Sequence, residues 1–173
     1  LTNLDVSGCT ALTTLNYSSS QLTNLDVSGC TALTTLECYQ NQLTNLDISG
    51  CTALTTLECY QNLLNSLDLS DCSNLNNINC DSNLLQCFNT RNGNWSNMNV
   101  SAVGNNLSCV EVDNLGVAQG WTFDSFTTTS LNCNYPSNCF SNSTSIEEYQ
   151  SNLSIFPNPT NNHIQIEIEN YNG

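Results

Sequence analysis

Leucine recurs on a fixed beat along the first half of the chain. Residues 22–42 read LTNLDVSGCTALTTLECYQNQ, and residues 1–21, 43–63 and 64–84 are variants of the same line. The period is 21 residues, the distance from Cys9 to Cys30 and from Cys30 to Cys51. Each unit divides into two related halves. One has the form LxxLDVSxCxx, as at Leu22, Leu25, Val27 and Cys30; the other is LxxLxCxxNx, as at Leu33, Leu36, Cys38 and Asn41. Apolar positions in both are spaced three, two and three apart. The central alternation puts both apolar members on one face of a short strand. Neither half has room for a helix of useful length. The pattern predicts a mainly β solenoid of flattened coils, with short parallel strands on both sides of each coil and little helix. Each coil can bury its leucines only against the coils above and below, so several are needed for stability.

The beat weakens after residue 84 but persists. Leu85, Phe88 and Thr90, then Trp95, Met98, Val100 and Val103, keep the spacing, and Leu107, Val110 and Val112 begin another half. The solenoid is therefore predicted over residues 1–112, with degenerate coils at its end acting as a cap. Between the apolar positions, outward columns repeat with the same period. One side carries Asn3, Asp5, Ser7 and their equivalents, including Asp26, Asp47 and Asp68. The other carries Thr14, Asn16 and Ser18, which become Thr35, Glu37, Tyr39 and Thr56, Glu58, Tyr60 in the next coils. Asp5, Asp26, Asp47, Asp68, Glu37, Glu58, Tyr39 and Tyr60 are the candidate ligand-facing residues. The bland alternative is a solvated face copied by duplication.

Charge narrows the partners. The 173 residues carry 15 acidic and 1 basic side chain, a net charge of -14. Nucleic acid is excluded, because its affinity comes from Lys and Arg neutralising phosphates, and an anionic bilayer repels such a chain. Basic proteins, neutral glycans or cations remain. No apolar run approaches the roughly 20 residues of a membrane span. Leu1 already lies inside a repeat with no signal peptide before it, so the sequence reads as a mature or trimmed fragment. The Asp column would place like charges about 4.8 Å apart, a repulsion of about 0.9 kcal/mol in water and about 3.5 kcal/mol at an effective dielectric of 20. Screening and local hydrogen-bond donors are expected to relieve it. A flat column offers too few oxygens for a tight calcium site, so no metal is expected.

Catalytic chemistry is not expected either. His163 is the only histidine and lies in the tail, lysine is absent, and the carboxylates form ladders rather than face each other across a cleft. No enzyme activity and no cofactor are predicted. Of the 11 cysteines, Cys9, Cys30, Cys51 and Cys72 form one column and Cys38, Cys59 and Cys80 another. They are expected to be buried, reduced apolar fillers, since no CxxC-type pairs suggest a metal. Cys87, Cys109, Cys133 and Cys139 lie in the irregular region and admit three pairings. Cys87–Cys109 is one, because both occupy the same outward position in adjacent coils. Any bridge implies an oxidising compartment.

The repeat resembles the leucine-rich repeats, and within them the nested IRREKO class, whose 21-residue unit holds two such halves. Residues 106–133, NLSCVEVDNLGVAQGWTFDSFTTTSLNC, resemble the closing segment of such repeats in secreted bacterial surface proteins. This resemblance implies a cap over residues 113–139, a short helix near Asn114–Gly120 and Trp121 packed over the last coil. It also implies a Cys109–Cys133 bridge, both cysteines lying in that segment, which leaves Cys87–Cys139.

A polar linker, residues 140–151, follows. In residues 152–173, Ile164, Ile166 and Ile168 alternate with polar residues as a half-buried strand would. With Ile155-Phe156-Pro157-Asn158-Pro159 before it, this stretch resembles the start of the C-terminal sorting domain of type IX secretion cargo, truncated here. That resemblance implies transit through the periplasm and recognition by the type IX translocon and its shuttle proteins. The destination it implies is extracellular or the outer-membrane surface. The expected function is a secreted or cell-surface binding or adhesion module whose solenoid meets a protein or glycan. The rivals are a structural spacer or surface-layer component without a specific ligand, and a non-catalytic part of a larger glycan-acting enzyme.

Overall fold

The computed structural model describes residues 1–116, 120–135, 139 and 153–154. Its strands are short: β1 (Asn3–Asp5), β2 (Thr14–Asn16), β3 (Asn24–Asp26), β4 (Thr35–Glu37), β5 (Thr56–Glu58), β6 (Ser66–Asp68) and β7 (Asn77–Asn79). They continue as β8 (Cys87–Asn89), β9 (Asn99–Ala102), β10 (Cys109–Glu111), β11 (Thr122–Phe123), β12 (Thr128–Ser130) and β13 (Leu153–Ser154). Every pairing between them is parallel. They stack as a solenoid of about six turns, with a short 3-10 turn at Trp95–Asn97.

One side of the solenoid is a continuous six-stranded sheet, in the order β2-β4-β5-β7-β9-β11. Its register puts Leu15, Leu36, Leu57, Ile78 and Val100 in one column. These central residues are buried while their neighbours are not, as alternating side-chain direction requires. The core is a stack of such columns: Leu12, Leu33, Leu54 and Leu75 form another, each fully buried.

A coil this thin also buries polar backbone, and two columns of side chains satisfy it. Asn41, Asn62 and Asn83 are buried at the turn after the second strand. Their Oδ1 atoms accept the N–H groups of Leu22, Leu43 and Leu64, the first residues of the same 21-residue units, each at 3.0 Å. Their Nδ2 groups donate to carbonyls of both coils, as Asn62 does to Cys38 at 3.0 Å and Cys59 at 3.1 Å. Asn105 continues the column. At the opposite turn the thiols of Cys30 and Cys51 donate to the carbonyls of Val6 and Val27, both at 3.2 Å. Gly93 holds the next cysteine place, and Asn92 before it is buried and donates to Cys72 O at 2.9 Å.

The second side is split, against the expectation of a strand on both sides of every coil. Its strands form one sheet, β13-β1-β3, and another, β6-β8-β10-β12. The third coil contributes a bridge from Asp26 to Asp47, and among the described residues no ladder joins it to β6. One turn residue differs at this place. Gly8, Gly29 and Gly50 take left-handed φ of 67°, 70° and 72° and stack so closely that a Cβ on Gly50 would stand 3.3 Å from Gly29 Cα. Asp71 holds the equivalent place in the fourth coil and is not left-handed. So Gly8 and Gly29 donate to the carbonyls of Ser28 and Ser49, at 2.8 and 2.9 Å, whereas Gly50 donates to the Asp71 carboxylate at 3.1 Å. The Cys72 thiol stands 3.8 Å from Ile48 O, farther than its counterparts above.

The end of the solenoid departs from the expected spacing. Ile78 pairs with Val100, 22 residues on rather than 21, and the extra residue is absorbed by the 3-10 turn. Trp95 is consequently only partly buried, Ala102 is fully buried in the core, and Val103, expected inside, is 41% exposed. Trp121 is buried and donates Nε1–H to Met98 O at 2.9 Å. Of the segment expected as a short helix, Leu115–Gly116 form a turn in which Gly116 N–H donates to Asn114 Oδ1; residues 117–119 lie outside the described residues. So does most of the tail, including Pro157, Asn158, Pro159, His163 and the Ile164–Ile168 alternation. Leu153–Ser154 pair with β1 in register with Leu4 and Asp5.

Three substitutions test this packing. Leu36→Ala should cost about 2–5 kcal/mol by opening a cavity in the stack, while outward Thr35→Ala should stay within about 0.5 kcal/mol. Asn62→Ala should cost about 1–3 kcal/mol for each backbone group left unpaired. Denaturant unfolding of the variants measures all three; equal losses at positions 35 and 36 would invert the strand faces.

Candidate binding faces

The split side presents the aspartate column. β1 and β3 place Asp5 beside Asp26, and the bridge places Asp26 beside Asp47. No ladder brings Asp68 into line with Asp47; it pairs instead with Asn89. Each of these aspartates has a structural task. Asp5, Asp26, Asp47 and Asp68 accept the N–H of the serine two residues on, each at 2.9 Å. This local bond ends the strand and starts the turn. Asp26 also accepts the Ser28 hydroxyl, and Asp68 the Asn89 amide. Each carboxylate of the column thus has a local donor. Between the third and fourth coils the split leaves a cleft of about 140 Å³, bordered by Asp47, Asp68 and Asp71. Among the described residues no set of three or more His, Cys, Asp or Glu could hold a metal ion.

The continuous side differs. Asn79, at the end of β7, makes the same turn contact, accepting the Asp81 N–H at 3.1 Å. On the split side Asn89 does so for Arg91. Glu37 and Glu58 occupy this position in the second and third coils, in register on β4 and β5. Their longer side chains accept no turn N–H among the described residues. Glu37 accepts the Asn16 amide at 2.6 Å and Glu58 that of Asn77 at 3.5 Å, both across the sheet face. Burial raises the Glu58 pKa, the Asn79 amide opposes this, and Glu37 and Asp81 raise it further. Beside the glutamates, Tyr39 and Tyr60 stack with ring centroids 4.6 Å apart and planes 5° apart. Beyond them Gln40 and Gln61, both left-handed, join amide to amide at 2.9 Å.

The free thiols are sealed inside. Cys9, Cys30, Cys38, Cys51, Cys59, Cys72 and Cys80 are all buried. Desolvation pushes Cys38, Cys51 and Cys72 up to about 12 and Cys30 to about 11, so the reactive thiolate is suppressed. Bridges join Cys87 to Cys139 and Cys109 to Cys133, each with Cα atoms 5.7 Å apart; the Cys87–Cys109 alternative does not form. The capping segment is also clasped by Tyr135. Its hydroxyl donates to Phe88 O at 2.6 Å and accepts the N–H groups of Phe88 and Glu111 at 3.1 and 3.2 Å, tying β8 to β10. Nothing in the repeat pattern marks Tyr135 for this role. The Asn column, by contrast, was visible as a period, though its bonds were not.

No family model matches the chain, and no curated protein matches it. Among solved structures, the chain is similar to the functional domain of InlJ from Listeria monocytogenes, which includes a cysteine ladder. The two are 27% identical with a TM-score of 0.55. The fold is a leucine-rich-repeat-like solenoid. The match covers 73% of this chain and 33% of the other, so the chain spans about a third of that structure's length. Thiol columns are common to both: here the free cysteines stand in two.

Thiol reagents should label none of the seven free cysteines in the native protein and all of them after denaturation. Non-reducing peptide mapping should find only the two bridges named above; a Cys30–Cys51 bridge would refute the sealed column. Stability should also depend on pH with two signs. Glu58 titrates higher folded than unfolded, so stability rises as pH falls through its folded value and is fully gained below the ordinary 4.5. Asp124 is lowered by the N–H groups of Gly104 and Asn105, so its contribution is present above the ordinary 3.8 and is lost on further acidification. A melting temperature rising from neutral pH toward about 4.5 and falling below about 3.5 is the expected profile.

Proposed function

We propose that the chain is a secreted or cell-surface binding and adhesion module, exported by type IX secretion. The observation that carries this reading is the continuous six-stranded face, on which outward side chains repeat in register over adjacent coils. Such a face is rigid, flat and wide enough for a macromolecular partner, a protein or a glycan. The disulfides fit an oxidising, extracytoplasmic destination. The likeness to the InlJ functional domain supports a surface role. The export route rests on Pro157, Asn158 and Pro159 with their flanking apolar residues, through which the translocon and shuttle proteins would take the tail.

Two experiments test the parts separately. Deleting the segment from Asn152 onward in the full-length product should strand the protein in the periplasm; normal surface display of the deletion would sink the export route. Labelled protein should bind whole cells saturably, with competition by unlabelled protein. Non-saturable or absent binding would favour a spacer without a ligand.

A further inference from the structure

We infer that the sheet face formed by Glu37, Tyr39, Glu58 and Tyr60 docks a basic, arginine- or lysine-bearing peptide segment of a partner protein. This assignment rests on the binding function proposed above and specifies its site and partner.

At most of the other strand ends of the solenoid the same position is tied to the turn that follows. A short Asp or Asn there closes the turn, at Asp5, Asp26, Asp47, Asp68, Asn79 and Asn89. Coils two and three forgo that contact and carry glutamate instead. The same two coils carry the stacked tyrosines. Glutamates in register and a stacked tyrosine pair therefore coincide in one patch, and the patch lies on the continuous sheet rather than the split one.

Charge complementarity selects the occupant. Glu37 and Glu58 sit in register on neighbouring strands, about 4.8 Å apart, and Asp81 adds a third carboxylate close enough to raise Glu58 further. The chain supplies no counter-charge: Arg91 is its only Arg or Lys, and it reaches toward Leu131 O. A guanidinium or ammonium from outside would relieve this repulsion. The tyrosines favour the same partner. Stacking face to face uses one face of each ring on the other, so what distinguishes a cationic from a neutral ligand on the faces that remain is the carboxylates beside them. The outer faces and edges remain, and a planar guanidinium can stack on them while bonding a carboxylate. The aspartate side is the poorer candidate, because its carboxylates are tied to the backbone of their own turns, whereas Glu37 and Glu58 accept side-chain amides.

Fluorescence anisotropy with a labelled dodecapeptide of alternating Arg and Ser tests the assignment at physiological salt, where diffuse attraction is screened. Wild-type protein should bind it saturably, and the peptide with Gln for Arg should not bind. E37Q/E58Q and Y39S/Y60S should each weaken binding by about tenfold, while D26N/D47N, which removes as much charge but keeps the turn contacts, should change it by less than about twofold. Thermal melts confirm that each variant is folded. Equal losses from E37Q/E58Q and D26N/D47N would reduce the effect to net charge and overturn the site. Absence of peptide binding, with saturable cell binding that Y39S/Y60S abolishes and neutral glycan inhibits, would overturn the basic partner and leave the binding module standing. Absence of any saturable cell binding would instead remove the function on which the assignment rests.

Discussion

A coil of 21 residues is too thin to bury its own leucines. The next coil is their only cover, and this makes coil-to-coil register the constraint on which the molecule depends. Leu36 lies between Leu15 and Leu57 because β2, β4 and β5 pair without offset. The same constraint governs the polar interior. Asn62 can pair a backbone N–H of its own turn's neighbour and two carbonyls from different coils only when those coils are in phase. Buried polar groups left unpaired are costly, so the Asn and Cys columns enforce the register that the leucines exploit.

Register also multiplies whatever a unit carries. Outward carboxylates become columns of like charge, and the two sides manage this differently. Aspartate is short enough to spend its charge on the turn that follows it. Glutamate on the opposite side is not used in this way, and its charge stays on the surface beside the tyrosines. Departures from the unit have equally local effects. One side of the solenoid is split where Asp71 stands in place of glycine, while β5 and β7 stay paired on the other. The added residue before Val100 is taken up by a 3-10 turn, and the ladder resumes beyond it.

Most of the repeat was legible in the sequence because its physics is periodic. The inward leucines, the outward columns and the sealed cysteines all follow from alternation at a constant period. What was not legible is what does not repeat. Val103 was expected inside because the spacing was counted from Trp95, whereas one inserted residue puts Ala102, 22 residues after Cys80, at the core position. The split of one side coincides with a single turn residue, Asp71, whose conformation no spacing rule conveys. Tyr135 reaches across 47 residues to Phe88, a contact set by the path of the cap. On the candidate faces, the residues were identifiable, but not that the aspartates are committed to turns and the glutamates are not. The sorting motif rests on resemblance, since Pro157, Asn158 and Pro159 lie outside the described residues.

If the coil is the structural unit, whole coils are removable and fractions of coils are not. The direct measurement is cooperative unfolding of two internal deletions. Removing residues 22–42 brings Leu43 into the place of Leu22, so every column closes up in phase; this protein should fold with a cooperative transition, somewhat destabilised by the lost neighbour interfaces. Removing residues 22–38 instead throws the columns out of phase, and this protein should lose its transition. Loss of folding in the first deletion, or native-like unfolding in the second, would contradict the account.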